Sequence, residues 1–220
     1  MHGSRRIRAV QTDVRSGGRA AAAWPERLRR TLAIRTIWLV AIAFGLYAGQ
    51  WLAVLGFLPA IATQAGVSGV VLGVLTALVA AVNVVGNIAA GRLLHAGVAP
   101  PTLLRVGFVA MALGAVAAFA GDAGAGLPPA LRFAALLLFS MFGGLIPTTL
   151  FALAVPLAPS EDTIATTLGW VQQWSAFGQF AGPPLVAWFA SVALGWHWTW
   201  LVTAGFSVLG LVLVARIARA

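Results

Sequence analysis

The sequence predicts an all-α integral membrane protein: six transmembrane helices in one bundle, with both termini cytoplasmic. Three observations predict it. Of 220 residues, 60% are hydrophobic and 9% charged, with a mean hydropathy of +0.94, a balance that no ordinary soluble domain shows. The apolar residues fall into stretches at about 37–61, 69–92, 103–121, 131–156, 164–191 and 198–217, each near the ~20 residues that a helix needs to cross a bilayer. The arginines fall on one side of that arrangement. With the N-terminus inside, the cytoplasm holds the nine Arg before residue 36 together with Arg92, Arg105, Arg216 and Arg219, while the outside holds Arg132 alone. This is the positive-inside pattern.

Residues 1–36 form a basic cytoplasmic segment. It has no apolar run followed by a small-residue cleavage site, so it is no secretory signal. Pro25-Glu-Arg-Leu-Arg-Arg30 is expected to open a short helix along the inner leaflet; the rest of the segment is expected to be flexible. The net charge is +9. The basic stretch nevertheless lacks interleaved aromatics and any nucleic-acid-binding fold, so nucleic acid is not a partner. Without cysteine there is no disulfide framework. No residue cluster has metal-ligand or cofactor-binding spacing.

In the first span Phe44, Tyr47, Gln50, Trp51 and Val54 share one side and Gly45, Gly49 and Gly56 the other. The glycines read as a packing seam, and Pro59 as a bend near the outer end. Tyr47, Gln50 and Trp51 combine aromatic surface with hydrogen-bonding groups, as a cavity lining does; an outer aromatic belt is the alternative for Tyr47 and Trp51. The second span sets a small-and-polar stripe, Gly69, Gly73, Thr76, Ala80, Asn83, Asn87 and Ala90, against Val70, Val74, Leu78, Ala81, Val85 and Ile88. Two asparagines inside a bilayer need partners. Asn87, near the inner end, reads as an interhelical hydrogen-bonding group; Asn83 reads equally as that or as a substrate contact.

Gly91, Arg92 and Gly97 frame a cytoplasmic turn, after which Pro100-Pro101 restart the chain. His95 in that turn reads as structural or solvated. The third span is featureless apart from Gly107 and Gly114. The fourth holds Ser140, Gly143, Gly144, Pro147, Thr148 and Thr149; glycines and a proline at membrane depth predict a bent helix. Glu161 and Asp162 suit the N-terminus of the fifth span, with Ser160 or Asp162 as its cap.

The fifth span carries the stretch Gly169 to Pro184. At roughly 100° per residue, Gly169, Gln172, Ala176, Gln179 and Pro183 lie on one face, and Trp170, Trp174 and Phe177 on the opposite, lipid-directed face. Gly178 and Gly182 form a G-x-x-x-G pair for close packing. An unpartnered amide costs several kcal/mol in hydrocarbon, so the glutamine face should meet other helices or a wet cavity. The sixth span opens on Gly195-Trp-His-Trp-Thr-Trp200, an interfacial aromatic belt holding His197.

Gly66-Val-Ser-Gly69 matches the G-x-S-G string of rhomboid intramembrane proteases. Ser68 lies in a short outer turn, however, and His197 in the tryptophan belt; a helix N-cap role for Ser68 explains it at little cost. No carboxylate pair, metal cluster or phosphate loop lies in the spans, so the sequence does not read as an enzyme.

Taken together, the residues resemble the C-terminal six-helix half of a major facilitator superfamily transporter. Asn83 to Gly97 resembles that family's turn between its eighth and ninth helices, although the usual Asp is lacking. Gly169 to Pro184 resembles its eleventh helix, and Gly195-Trp-His-Trp the turn into its twelfth. Residues 1–36 resemble the loop joining the two halves, and the match covers about 37–217. The resemblance implies alternating access, with two bundles rocking about a midplane site, in a bacterial inner (plasma) membrane. It places Tyr47, Gln50, Trp51, Asn83, Gln172 and Gln179 on the substrate wall and gives Gly143, Gly144, Pro147, Gly178 and Gly182 to packing or gating. The implied partners are the lipid bilayer, a small organic solute and an N-terminal six-helix half, supplied as missing sequence, a separate chain or a second copy. No charged residue lies near a span centre, so any coupling carboxylate is expected in the other half. The alternative is a non-transporting membrane scaffold or assembly subunit.

Overall fold

The computed structural model describes residues 23–64, 66–67, 69–121, 126–193 and 195–219. Residues 1–22 of the basic segment lie outside the described residues, as do Ser68 and Asp122. Among the described residues the chain is helical throughout. The helices are α1 (Trp24–Leu32), α2 (Arg35–Gln64), α3 (Gly69–His95), α4 (Pro100–Phe119), α5 (Pro129–Gly143), α6 (Leu145–Leu157), α7 (Ile164–Val192) and α8 (Thr199–Ile217), with short 3₁₀ turns at Glu161–Thr163 and Trp196–Trp198.

The boundaries follow local chemistry. At the end of α3, Gly97 adopts φ +86°; its N–H reaches the Leu94 carbonyl and that of Val98 reaches Leu93. This is a Schellman closure, which favours glycine because a side chain is strained at that φ. Gly66 closes α2 in the same way, with Val67 bonded back to Ala62. Prolines at the first positions of α1, α4 and α5 start those helices where an N–H would be unpaired. Ser160 takes the cap position ahead of α7, its N–H donating to Thr163 Oγ1 at 3.0 Å.

The fourth predicted span is two helices. Gly144 separates α5 from α6, its N–H shared between the Ser140 and Met141 carbonyls. Pro147, one turn on, has no N–H to offer the Gly143 carbonyl, so the ladder cannot run through. Among the described residues, five segments have the length and hydropathy to cross a membrane: Arg35–Pro59, Gly69–His95, Pro100–Phe119, the broken Pro129–Leu157, and Trp196–Ile217. Helix α7 has 29 residues and is long enough at ~1.5 Å per residue. Gln172, Gln173, Gln179 and its two prolines make it less apolar than the five.

Helix α2 is the centre of the bundle, packed on α7 and also on α8, α6 and α3. Its closest neighbour is α7. A Cβ on Gly178 would strike the backbone of Gly45, and one on Gly182 the backbone of Gly49. Four glycines thus bring the two helices into backbone contact. Gly56 and Gly169, in contrast, have nothing within 4 Å. The two irregularities of α4 also have partners, Gly107 against Ile146 and Gly114 against Phe139. Trp170 and Trp174 depart from the lipid-directed expectation. They are half-buried and meet Trp38 of α2 edge-on, with ring centroids 5.0 and 6.0 Å away. Only Phe177 of that trio faces outward, at 58% exposure.

Helix α1 is held at the N-terminal end of α2 and α7, where Thr31 and Thr167 hydroxyls lie 3.4 Å apart and Trp38 Nε1 donates to the Leu32 carbonyl at 2.8 Å. On its outer side Glu26 accepts from Arg29 and Arg30 at 2.9–3.0 Å. Those guanidiniums, Arg29 first, hold its carboxyl down at about 2.

Two outcomes are expected. Gly178→Ala should lower the thermal midpoint in detergent by several degrees, the effect of overpacking worth ~1–3 kcal/mol, whereas Gly169→Ala should not lower it. Glu26 and Glu161 are the two glutamates of the chain, so selective carboxyl labelling for NMR isolates Glu26, whose midpoint should fall near 2. Its folded value lies below its unfolded one, so its support of α1 is complete above about pH 4.5 and is lost as the pH falls through 2. Arg29→Gln with Arg30→Gln should return the midpoint to the ordinary glutamate range.

Candidate functional site

The break at Gly144 lets α3 approach the fourth span closely. A Cβ on Gly86 would strike the Met141 carbonyl, and one on Gly144 the Asn83 carbonyl; Gly143 sits against Met111 and the Tyr47 ring. That approach brings polar side chains of four helices together. Asn83 Nδ2 donates to the Ser140 carbonyl at 2.8 Å and the Tyr47 hydroxyl at 3.1 Å. Asn87 Nδ2 donates to Asn83 Oδ1 at 2.9 Å, and Thr148 Oγ1 donates to Asn87 Oδ1 at 2.8 Å. Trp51 Nε1 closes the group on the Ser140 hydroxyl at 3.0 Å. An amide in hydrocarbon must be paired, and here each asparagine is paired across helices.

The six residues expected on a substrate wall separate. Tyr47, Trp51 and Asn83 lie in this network. Gln50 does not: it is fully buried toward α8, its Oε1 accepting from Ser207 Oγ at 2.9 Å. Gln172 is exposed on α7. Gln179 is half-buried, and its Nε2 donates within its own helix to Ser175 Oγ at 3.2 Å. Of the turn residues, Gly91 and Arg92 are exposed and Gly97 makes the closure described above. Pro147 lies at the break. Gly178 and Gly182 lie in the α2–α7 seam.

Three partners fall outside the sequence-based expectation: Ser140 and Thr148 read there only as signs of a bent helix, and Ser207 carries no assigned role. Ser207 continues Thr199 and Thr203 at i+4 spacing, and all three are buried. That hydroxyl row was the available signal.

Outside the network, an open cleft of about 1260 Å³ lies where α2, α4 and α7 end and α3, α5 and α8 begin. Its wall includes Phe57, Leu72, Arg132, Phe133, Trp196 and His197 and none of the six candidates. Arg132 is engaged there with the Leu127 and Gly121 carbonyls. Much of the outer surface is apolar, with Val70, Val74, Leu78, Val85 and Ile88 on α3 and Phe177, Phe180 and Trp188 on α7; Gln172 and Gln173 are exposed amides on α7.

A bundle of long helices with largely apolar outer faces and most of its polar side chains paired between helices defines an integral membrane protein. The family model for the Major Facilitator Superfamily matches residues 10–219, and the chain belongs to that family of transporters. No curated protein matches it. In structure the chain is similar to the E. coli fucose:proton symporter FucP, crystallised as a single-residue variant, with a TM-score of 0.73 at 20% identity. The likeness covers 89% of this chain and 46% of the symporter, so the chain spans a little under half of that protein's length.

Asn83→Ala removes the bonds to Tyr47, Ser140 and Asn87 at once. Interhelical hydrogen bonds in membranes average ~0.6 kcal/mol and reach ~1.7. Thermal melting in detergent should therefore show a loss of roughly 1–3 kcal/mol, larger than that of Gln172→Ala, which has no partner among the described residues.

Proposed function

We propose that residues 37–217 are one six-helix half of an alternating-access secondary transporter for a small organic solute. Residues 1–36 are its cytoplasmic lead-in, and both termini face the cytoplasm of a bacterial inner membrane. The observation that carries this reading is the conjunction of a family match over residues 10–219 with a likeness that covers 46% of a symporter. A second six-helix bundle completes the carrier, supplied by further sequence, a separate chain or a second copy. The symporter's sugar is not carried over; the transport class is. The chain performs no chemistry on its solute.

In this reading α2, α3, α5–α6 and α7 form one wall of the path. Tyr47, Trp51 and Asn83 offer hydrogen bonds beside the break, and Gln172 offers an amide that no neighbour uses. Gln179 is available once its bond to Ser175 is exchanged, while Gln50 belongs to the α2–α8 contact and not to the wall. A solute that competes for Asn83 or Trp51 loosens the tie holding α5–α6 to α2 and α3. Gly143, Gly144 and Pro147 give that helix somewhere to bend, and Gly178 and Gly182 give α7 a smooth surface against α2. The described acids, Glu26, Glu161 and Asp162, all lie outside the long helices. If transport is coupled to protons, the coupling carboxylate is in the second bundle.

A second reading, an assembly subunit that transports nothing, is favoured by one fact: the network side chains already satisfy one another. Uptake by proteoliposomes that hold the chain assembled with its second bundle, screened over sugars and other small neutral or anionic solutes, separates the two. For a wall residue, Gln172→Ala should cut uptake roughly fivefold to tenfold, one hydrogen bond's worth of ~1–1.5 kcal/mol, with an unchanged thermal midpoint. A midpoint lowered by Gln172→Ala, with no solute transported even when the second bundle is present, points to the assembly subunit.

A further inference from the structure

Helix α1 carries a surface that neither the bundle nor the transport reading uses. At roughly 100° per residue, Trp24, Leu28, Thr31 and Leu32 share one side, and Glu26, Arg29 and Arg30 the other. Near its C-terminal end the apolar side is covered: Thr31 is fully buried against Thr167, and Leu28 and Leu32 are half-buried. One helical turn further out the cover stops, and Trp24 is 63% exposed. Only Ala33 and Ile34 separate α1 from the spanning helix α2, so the uncovered indole lies at the level where the bilayer ends. Trp is the side chain suited to that level, with an apolar ring and a polar N–H. The charges around it are positive. Arg29, Arg30 and Arg35 are exposed, against Glu26 on the same helix and Glu161 and Asp162 on the 3₁₀ turn that packs beside it, so cations outnumber carboxylates on the uncovered side of α1.

We propose that α1 docks on the anionic phospholipid surface of the bilayer holding α2–α8, with Trp24 seated among the headgroups and Arg29, Arg30 and Arg35 facing lipid phosphates. Glu26 is then an internal competitor for Arg29 and Arg30, and it sets how strongly they respond to lipid charge. The inference rests on membrane embedding and not on transport. Loss of docking leaves the transport reading intact, and absence of uptake leaves docking intact.

The chain has no cysteine, so Ala23→Cys, beside Trp24 and exposed, accepts one environment-sensitive fluorophore. The full chain is placed in nanodiscs of phosphatidylcholine alone or with one third phosphatidylglycerol, and access of aqueous acrylamide to the label is measured. Anionic lipid should reduce access, and high salt should restore it. Each surface arginine is worth ~1 kcal/mol, about fivefold in the docked ratio. Arg29→Gln with Arg35→Gln should therefore abolish most of the lipid response, while Glu26→Gln should increase it. Equal access in both lipids, or a response unchanged by both variants, overturns the proposal. The opposite signs expected from the arginine and glutamate variants keep misfolding from imitating the result.

Discussion

The architecture depends on backbone contact between α2 and α7. In a bilayer the lipid tails are as apolar as leucine, so two helices gain little by burying greasy side chains against each other. They gain by approaching closely, and only small residues permit it. Gly45 and Gly49 opposite Gly178 and Gly182 leave no Cβ at the points where the two backbones touch. With α7 seated there, Trp38, Trp170 and Trp174 close around the N-terminal end of the seam, and α1 folds over them. The remaining contacts of α2, to α8, α6 and α3, are arranged around that pair.

A second close approach, between α3 and the broken fourth span, follows the same rule. Gly86 and Gly144 let the α3 backbone touch the end of α5, and the proline beyond stops the helix from running straight. The interruption has a polar consequence. It puts Ser140 and Thr148 within reach of Asn83 and Asn87, so the asparagines are satisfied by neighbours and the break is tied to α2 and α3. Packing and polarity are thus coupled at one place: the position where the helix can bend is also the position where hydrogen bonds hold it.

The burial pattern divides the polar residues by role. Gln50 and Ser207 pair inside the α2–α8 contact, far from any surface a solute could reach. Tyr47, Trp51 and Asn83 pair across helices with part of the group accessible. Gln172 and Gln173 stand exposed on α7, the one long helix too polar for the hydropathy of a simple span. A helix that presents exposed amides at membrane depth needs something other than lipid beside it, and within the proposed carrier that neighbour is the path itself.

Sequence alone determined where the helices lie, because hydropathy, segment length and the glycine and proline stops are local properties. It also marked the residues that could not face lipid: the paired asparagines, the glutamine stretch and the glycines of α2 and α7. It did not separate Gln50 from Trp51, one residue apart on the same helix, nor assign Trp170 and Trp174 to a protein contact instead of the bilayer. Only the tertiary structure decided those points, and for a physical reason. An apolar side chain is nearly as stable against lipid as against another helix, so hydropathy cannot tell an outer face from an inner one. The arrangement is decided by which backbones can touch and which polar atoms then find partners.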